Sequence, residues 1–160
     1  MATYTALTRW RRARNEAFID QRYSRRHSWH FDGGLEIAAS SSPHSVRVPF
    51  SDPAAIDPEE ALVAALSSCH MLFFLSFAAQ RGFIIESYTD NAVGELVREP
   101  DGKEWIKHVT LRPEIIFHGT KRPAAAEVEE MHHLSHEACY IANSVKSEVR
   151  IECNAQGLAE

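Results

Sequence analysis

The order of hydrophobic patterns along the 160-residue chain predicts an α+β protein. Alternating, strand-like segments come first, and one long apolar segment, 57–82, follows them. Two further strands, an amphipathic helix and a last strand complete the order. Because the length suits one domain with a sizeable core, we expect residues 1–160 to form a single domain.

The long apolar segment carries signals for both ends of a helix. Asp57 is a favoured N-cap, Pro58 suits the first helical position, and Glu59 and Glu60 lie at the positive end of the helix dipole. Asp57 and Glu60 also have the spacing of a capping box. Gly82 is a natural C-terminal stop. The segment is therefore predicted to form one central helix.

The remaining elements are predicted from alternation and turn residues. The expected strands before the helix are 22–31, 35–40 and 45–50, together with 3–10, which also fits an early helix. After the helix, 84–99 and 104–118 pair across a turn, 123–138 forms a helix and 145–153 an edge strand. On the strand 22–31, Arg25 and Arg26 point to opposite faces, so only one of them can face the core.

Charge and cysteine content favour a cytoplasmic protein without nucleic-acid or membrane partners. The formal net charge is -5, and no secretory apolar region lies near Met1. Three cysteines, an odd number, fit a reducing compartment and a reactive thiol. The basic run 9–14 also fits a transit peptide, but a solvated loop is preferred. The uncharged stretch 61–79 is interrupted by the polar residues 67–70, which favours a buried helix over a membrane span.

Cysteines and histidines are the candidate chemical groups. Cys69 and Cys139 each have unusually polar neighbours in the sequence. Cys153, near the end of the last strand, is interpreted as structural. Buried, inert thiols are the plain alternative, because a thiol reacts only as the thiolate. His132, His136 and Cys139 share one helix face, so they could ligate zinc with Cys69 or His70 as a fourth ligand.

Glu59 precedes Cys69 by ten residues in the predicted helix. On a straight helix this separates the two by roughly 15 Å, too far for direct contact. A long arginine could reach both. Glu59 is otherwise explained as a helix-start charge.

Two motifs resemble those of the OsmC/Ohr family, the osmotically inducible and organic-hydroperoxide-resistance proteins. The first is Asp57-Pro58-Glu59 with Cys69 ten residues after the glutamate. The second is Cys139-Tyr-Ile-Ala-Asn-Ser-Val145, which is similar to the second cysteine of the family and the turn that follows it. The order of elements is similar too, so the resemblance covers nearly the whole chain.

The resemblance implies an OsmC-like fold and a thiol peroxidase that reduces organic hydroperoxides as part of a stress response. Cys69 would be the peroxidatic cysteine and Cys139 the resolving cysteine, joined in a redox-active disulfide. Glu59 would hold the activating arginine, Arg25 or, in reserve, Arg26. No metal or cofactor is implied, only an external dithiol reductant. The alternatives are the zinc protein described above and a non-catalytic dimer that binds a small ligand in an apolar cleft.

A homodimer is predicted from the central helix, which is apolar on every side. One mixed sheet covers only part of such a helix, so the same helix of a second, intertwined subunit is the expected cover. In solution we expect a native mass near twice 18.0 kDa at micromolar concentration. A well-folded monomer in sedimentation equilibrium would contradict this expectation.

Overall fold

The long apolar segment forms one continuous helix, α1 (Pro58–Gln80), in a computed structural model that describes residues 1–153. At its start, Asp57 Oδ1 accepts the amide N–H of Glu60 at 2.8 Å, and Glu60 Oε2 accepts the amide N–H of Asp57 at 3.2 Å. The predicted capping box is confirmed.

The predicted stop at Gly82 is confirmed as well. Gly82 has φ +73°, a left-handed conformation in which a residue without Cβ is unstrained. Its amide donates to the carbonyl of Ala79 at 3.0 Å, and the amide of Phe83 donates to that of Ala78 at 2.9 Å. These two bonds form a Schellman motif, which satisfies carbonyls that the end of α1 would leave open.

The chain forms two compact units, Met1–Ala61 and the part from Leu62 onward. The first unit contains an antiparallel sheet of β1 (Ala6–Arg9), β2 (His27–Phe31) and β3 (Glu36–Ala39), with β2 in the centre. A turn at Gly34 joins β2 and β3. The prediction of a single domain stays a prediction.

Two predictions about the first unit are wrong. The expected strand 45–50 is a series of turns. The amides of Ser45 and Val46 donate to the carbonyl of Ser42, so they are not available for hydrogen bonds to a neighbouring strand. The expected strand 22–31 begins only at His27, so Arg25 and Arg26 precede it. Gln21 has φ +61°, a conformation that does not continue a strand.

The second unit holds the remaining elements. They are β4 (Ile84–Asp90), β5 (Val93–Arg98), β6 (Glu104–Leu111), β7 (Pro113–His118), α2 (Ala125–Ala138), a 3-10 turn (Ala142–Ser144) and β8 (Glu148–Ile151). β5 and β6 pair across the predicted turn at Gly102, and β8 pairs with β6 in parallel at the edge of that sheet. The α+β order of elements is confirmed.

The two long strands expected after α1 are each divided, which gives a β4–β7 pair and a β5–β6–β8 sheet. The break occurs at Asp90, whose carboxylate accepts the amide N–H of Arg112 at 2.6 Å and the hydroxyl of Ser67 at 2.5 Å. Pro113, at the next position, has no N–H to donate. Asp90 therefore ties the break in the hairpin to the middle of α1.

Two apolar clusters pack around α1. Phe74 and Ala78 lie in one with Phe83, Phe117 and Met131. Leu66, Val109 and Leu111 form the other, beside the β5–β6–β8 sheet. A Cβ on Gly94 of β5 would lie 2.6 Å from Val63 Cγ2, so glycine permits the close approach of strand and helix.

Only one stripe of α1 is buried within the chain, and its members are Leu66, His70, Phe74 and Ala78. Leu72, on the other side, is 61% exposed. The burial on every side that the sequence predicts is thus not reached by one copy of the chain. Among residues 1–153, α1 is also the one helix long and apolar enough to cross a membrane, a test that the core helix of a globular protein passes too.

Candidate active site

Cys69 lies in the middle of α1, half-buried, with a free thiol. It lines an apolar cavity of about 440 Å³. The walls consist of Ala65, Ser68, Cys69, Leu72, Phe73 and Ser76 from α1, with Tyr140 and Ile141 from the turn after α2. The α1 members recur at helical spacing, so they form one stripe beside the buried stripe. None of these eight residues is an Asp, Glu, His, Lys or Arg.

Cys139 ends α2 and is 1% exposed. Its sulfur accepts the amide N–H of Ala142 at 3.4 Å. Burial is the largest cause that raises the pKa of Cys139, and the neighbouring Cys69 thiol raises it further. The amides of Ala142 and Ile141 oppose this shift. Cys139 is therefore a protonated thiol at neutral pH.

The structure brings the two predicted redox thiols together across the interface of α1 and α2. Cys69 is close enough to affect the ionisation of Cys139, and both thiols are free. The wall beside them is held by Phe73 and Tyr140, whose rings meet edge to face at 5.3 Å. Cys153 is exposed, lies after β8, and does not line the cavity.

A buried pair of imidazoles joins the two helices, with His70 of α1 directly after Cys69 in the sequence and His132 on α2. His70 Nε2 and His132 Nδ1 are 3.0 Å apart, and the rings stack with an interplanar angle of 11°. Burial is the main cause that lowers the pKa of each ring to about 4. His136 lowers the pKa of His70 further, and Asp90 opposes this. Both rings are neutral at pH 7, and one donates its proton to the other.

The zinc site suggested by the spacing of His132, His136 and Cys139 is not formed. His132 is bonded to His70, and the sulfur of Cys139 faces Ala142 and Cys69. Within residues 1–153, no group of three or more His, Cys, Asp or Glu side chains is arranged to hold a metal ion. The shared helix face predicted for the three residues serves packing between the helices instead.

The predicted activating residues belong to the first unit and are not paired with each other there. The Arg25 guanidinium lies 3.8 Å from the centre of the Tyr23 ring and donates to the carbonyls of Gln21 and Tyr23, both at 2.5 Å. Arg26 forms an ion pair with Asp52 at 2.9 Å. The Arg26 side chain is 66% exposed, so this ion pair is not the partner predicted for a core-directed arginine.

Glu59 differs from its neighbour at the start of α1. Glu60 supplies the capping box, so Glu59 is not needed for it. Glu59 Oε2 is buried and has no hydrogen-bond partner among the described residues. A buried carboxylate oxygen is costly to leave unpaired, so this atom is the natural acceptor for a cation. The role of Glu59 with Arg25 stays a prediction.

Three features of the site were not predicted from the sequence: the His70–His132 pair, the cavity wall at Tyr140 and Ile141, and the bond to the Cys139 sulfur. The first joins residues 62 positions apart, which no periodicity indicates. The others follow from the turn after α2. The only sequence signal for these two features is that the residues of the turn directly follow Cys139.

A family model for OsmC-like proteins matches residues 51–154. This chain belongs to the OsmC-like family. The match includes Cys69 and Cys139, and it begins in the loop before α1. A comparison with curated protein sequences found no match.

Solved structures of OsmC-like proteins share the fold over nearly the whole chain. An OsmC-like protein of unknown function from Vibrio cholerae is 55% identical, with a TM-score of 0.93, and the alignment covers 96% of this chain and 100% of that one. The organic hydroperoxide resistance protein OhrB of Bacillus subtilis is 17% identical, with a TM-score of 0.68, and 96% and 98% of the two chains are covered. An organic hydroperoxide resistance protein from Elizabethkingia anophelis has 14% identity, the same TM-score, and coverage of 96% and 94%.

The buried imidazole pair predicts acid sensitivity of the fold. In the unfolded chain both rings recover a pKa near 6.5, so below that pH the unfolded state binds protons that the folded state excludes until about pH 4. The free energy of unfolding should therefore fall as pH falls from 7 to 4, by up to about 3 kcal/mol for one ring at 1.36 kcal/mol per pKa unit.

Urea unfolding at pH 7 and at pH 4.5 measures this effect. The variant His132→Leu has one titrating ring fewer and should lose clearly less stability between the two values. His133→Gln, which changes an exposed histidine at the next position of α2, is the matched control and should behave as the parent chain does. Equal losses in all three proteins would contradict the assignment.

Proposed function

We propose that the protein is a thiol-dependent peroxidase that reduces organic hydroperoxides. The observation that carries the proposal is the pairing of two free thiols, one on the wall of an uncharged cavity and one buried behind it. The names of the organic hydroperoxide resistance proteins that share the fold support it.

The chemistry divides between the two cysteines. The Cys69 thiolate attacks the distal oxygen of the peroxide, the O–O bond breaks, and the alkoxide leaves and takes up a proton. The Cys69 sulfenic acid that results reacts with the Cys139 thiol, which forms the S–S bond and releases water. An external dithiol then reduces the disulfide by exchange and is itself oxidised.

The cavity favours a substrate with an apolar group. Leu72, Phe73 and Ile141 offer carbon surface, and Ser68 and Ser76 supply the hydroxyls at the wall. An alkyl or lipid-like group gains by leaving water for such a surface, whereas hydrogen peroxide gains nothing from it. We therefore expect alkyl hydroperoxides to be preferred.

The thiolate at Cys69 requires a stabilising charge in this proposal. Arg25, oriented by Glu59, is the proposed source, with Arg26 in reserve. The buried, unpartnered oxygen of Glu59 supports this role, since it lacks a donor among residues 1–153. We further propose that the protein acts as a homodimer in the cytoplasm, where dithiols can reduce it.

A second candidate function is the binding of a small apolar ligand without catalysis. The cavity alone supports it, because its volume lies in the range of ligand pockets. Reactivity of Cys69 separates the two functions. A merely binding protein needs no thiolate there.

The roles of the cysteines predict distinct single variants. With cumene hydroperoxide and a dithiol, Cys69→Ser should abolish turnover. Cys139→Ser should permit one oxidation and then over-oxidation of Cys69, because the sulfenic acid lacks its resolving thiol. Cys153→Ser should leave turnover unchanged. Peroxide consumption and the intact mass of the protein measure these outcomes, and an essential Cys153 with a dispensable Cys139 would refute the pairing.

The proposed charge predicts a change in the pH profile of Cys69 alkylation. If Arg25 stabilises the thiolate, Arg25→Ala should slow iodoacetamide labelling near pH 7, and the loss should shrink as pH rises. Glu59→Gln should have a smaller effect in the same direction, because it removes only the residue that orients the cation. Labelling is measured in a Cys139→Ser/Cys153→Ser background. Identical profiles would remove Arg25 from the mechanism and leave Arg26 as the candidate, because His70 is neutral at pH 7.

A further inference from the structure

The turn after α2 makes several hydrogen bonds to Cys139. The Ala142 amide donates to the Cys139 sulfur at 3.4 Å, and the Asn143 amide donates to the Cys139 carbonyl at 3.0 Å. The backbone thus folds around the residue instead of leading away from it. A neutral thiol hardly needs the first bond, because sulfur is a weak acceptor until it carries a charge.

The side chain of Asn143 holds this turn in place. Its Nδ2 donates to the Glu137 carbonyl at 2.8 Å and to the Cys139 carbonyl at 3.0 Å. Two carbonyl acceptors require both N–H groups of the amide, so the orientation of the side chain is settled by its partners. Asn143 is exposed, and it therefore contributes by these bonds and not by filling the core.

Access to the two sulfurs is unequal. Cys69 lines the cavity, whereas Cys139 is 1% exposed and does not. A reductant that enters the cavity reaches the sulfur of Cys69 first. Attack there makes the sulfur of Cys139 the leaving group.

We propose that Asn143 is a positioning residue which aims the Ala142 N–H at Cys139, so that Cys139 is the sulfur expelled when a dithiol reduces the disulfide. This inference rests on the proposed Cys69–Cys139 pair. It adds the direction of reduction and the group that stabilises the departing thiolate.

The step balances as a thiol–disulfide exchange. One thiolate of the dithiol attacks the Cys69 sulfur, the Cys69–Cys139 bond breaks, and its electron pair goes to Cys139, which leaves as a thiolate beside the Ala142 N–H. The second thiol of the dithiol then attacks the mixed disulfide and expels Cys69. The dithiol loses two electrons and two protons, and the cysteines gain them.

The experiment forms the disulfide with diamide, so it does not depend on peroxide. Reduction by dithiothreitol is followed in stopped flow for the parent chain, Asn143→Ala, Asn143→Asp and Ser144→Ala. Asn143→Ala should slow reduction about fivefold, the factor expected for a hydrogen bond of typical net strength. Asn143→Asp keeps the shape but replaces donors by a charged acceptor, and it should slow reduction further.

Ser144→Ala is the matched control. Its hydroxyl donates to the Tyr140 carbonyl at 2.7 Å in the same turn and makes no bond to Cys139. The disulfide of this variant should be reduced at the same rate as that of the parent chain. Equal slowing by Ser144→Ala and Asn143→Ala would show a loosened turn and overturn the positioning role.

A second readout tests the thiolate directly. In a Cys69→Ser/Cys153→Ser background, the pH profile of Cys139 alkylation should move to higher pH in Asn143→Ala and stay unchanged in Ser144→Ala. An unmoved profile in both would overturn the inference, as would failure of diamide to join Cys69 and Cys139. If the disulfide forms and responds as expected but cumene hydroperoxide is not consumed, the peroxidase proposal fails and this inference stands.

Discussion

The contact between the buried faces of α1 and α2 is the constraint on which the site depends. His70 and His132 are bonded across it, and Phe74 packs against the His132 ring with 4.4 Å between ring centres. Cys69 precedes His70 by one residue, so it is rotated by about 100° to the edge of the contact. Cys139 follows His132 by about two turns and stays on the inner face. Helical geometry thus gives one thiol access to the cavity and hides the other.

The polar groups inside this contact are compatible with a tightly packed core because they are neutral or hydrogen-bonded. Burial keeps His70 and His132 uncharged, and their mutual bond satisfies one nitrogen of each ring. Asp90 accepts both the Ser67 hydroxyl and a backbone N–H, which anchors the hairpin to α1 close to Cys69 in sequence. These bonds fix the position of the cysteine-bearing turn of α1 from two sides.

How far the sequence predicts this structure depends on the range of the interactions. The ends of α1 were predictable, because the Asp57 cap and the Gly82 stop involve bonds between residues at most five positions apart. The segment 45–50 was mistaken for a strand, since its amides turn back to Ser42 and composition does not show this. The meeting of Cys69 and Cys139 followed from the resemblance to a family, and neither periodicity nor spacing would have supplied it.

The positions of the two thiols explain why they need different kinds of stabilisation. Cys69 lies in the middle of a helix, where every nearby amide N–H is already bonded to the carbonyl four residues before it. No backbone donor is therefore free for its thiolate, and the proposed mechanism assigns its stabilisation to a side chain. Cys139 ends its helix, and the amide of Ala142 in the following turn is free to face its sulfur. That bond opposes the burial that raises the pKa of Cys139, and it lowers the cost of a thiolate at this position. In the proposed mechanism Cys69 therefore relies on an arginine, whereas Cys139 has a backbone N–H donor of its own.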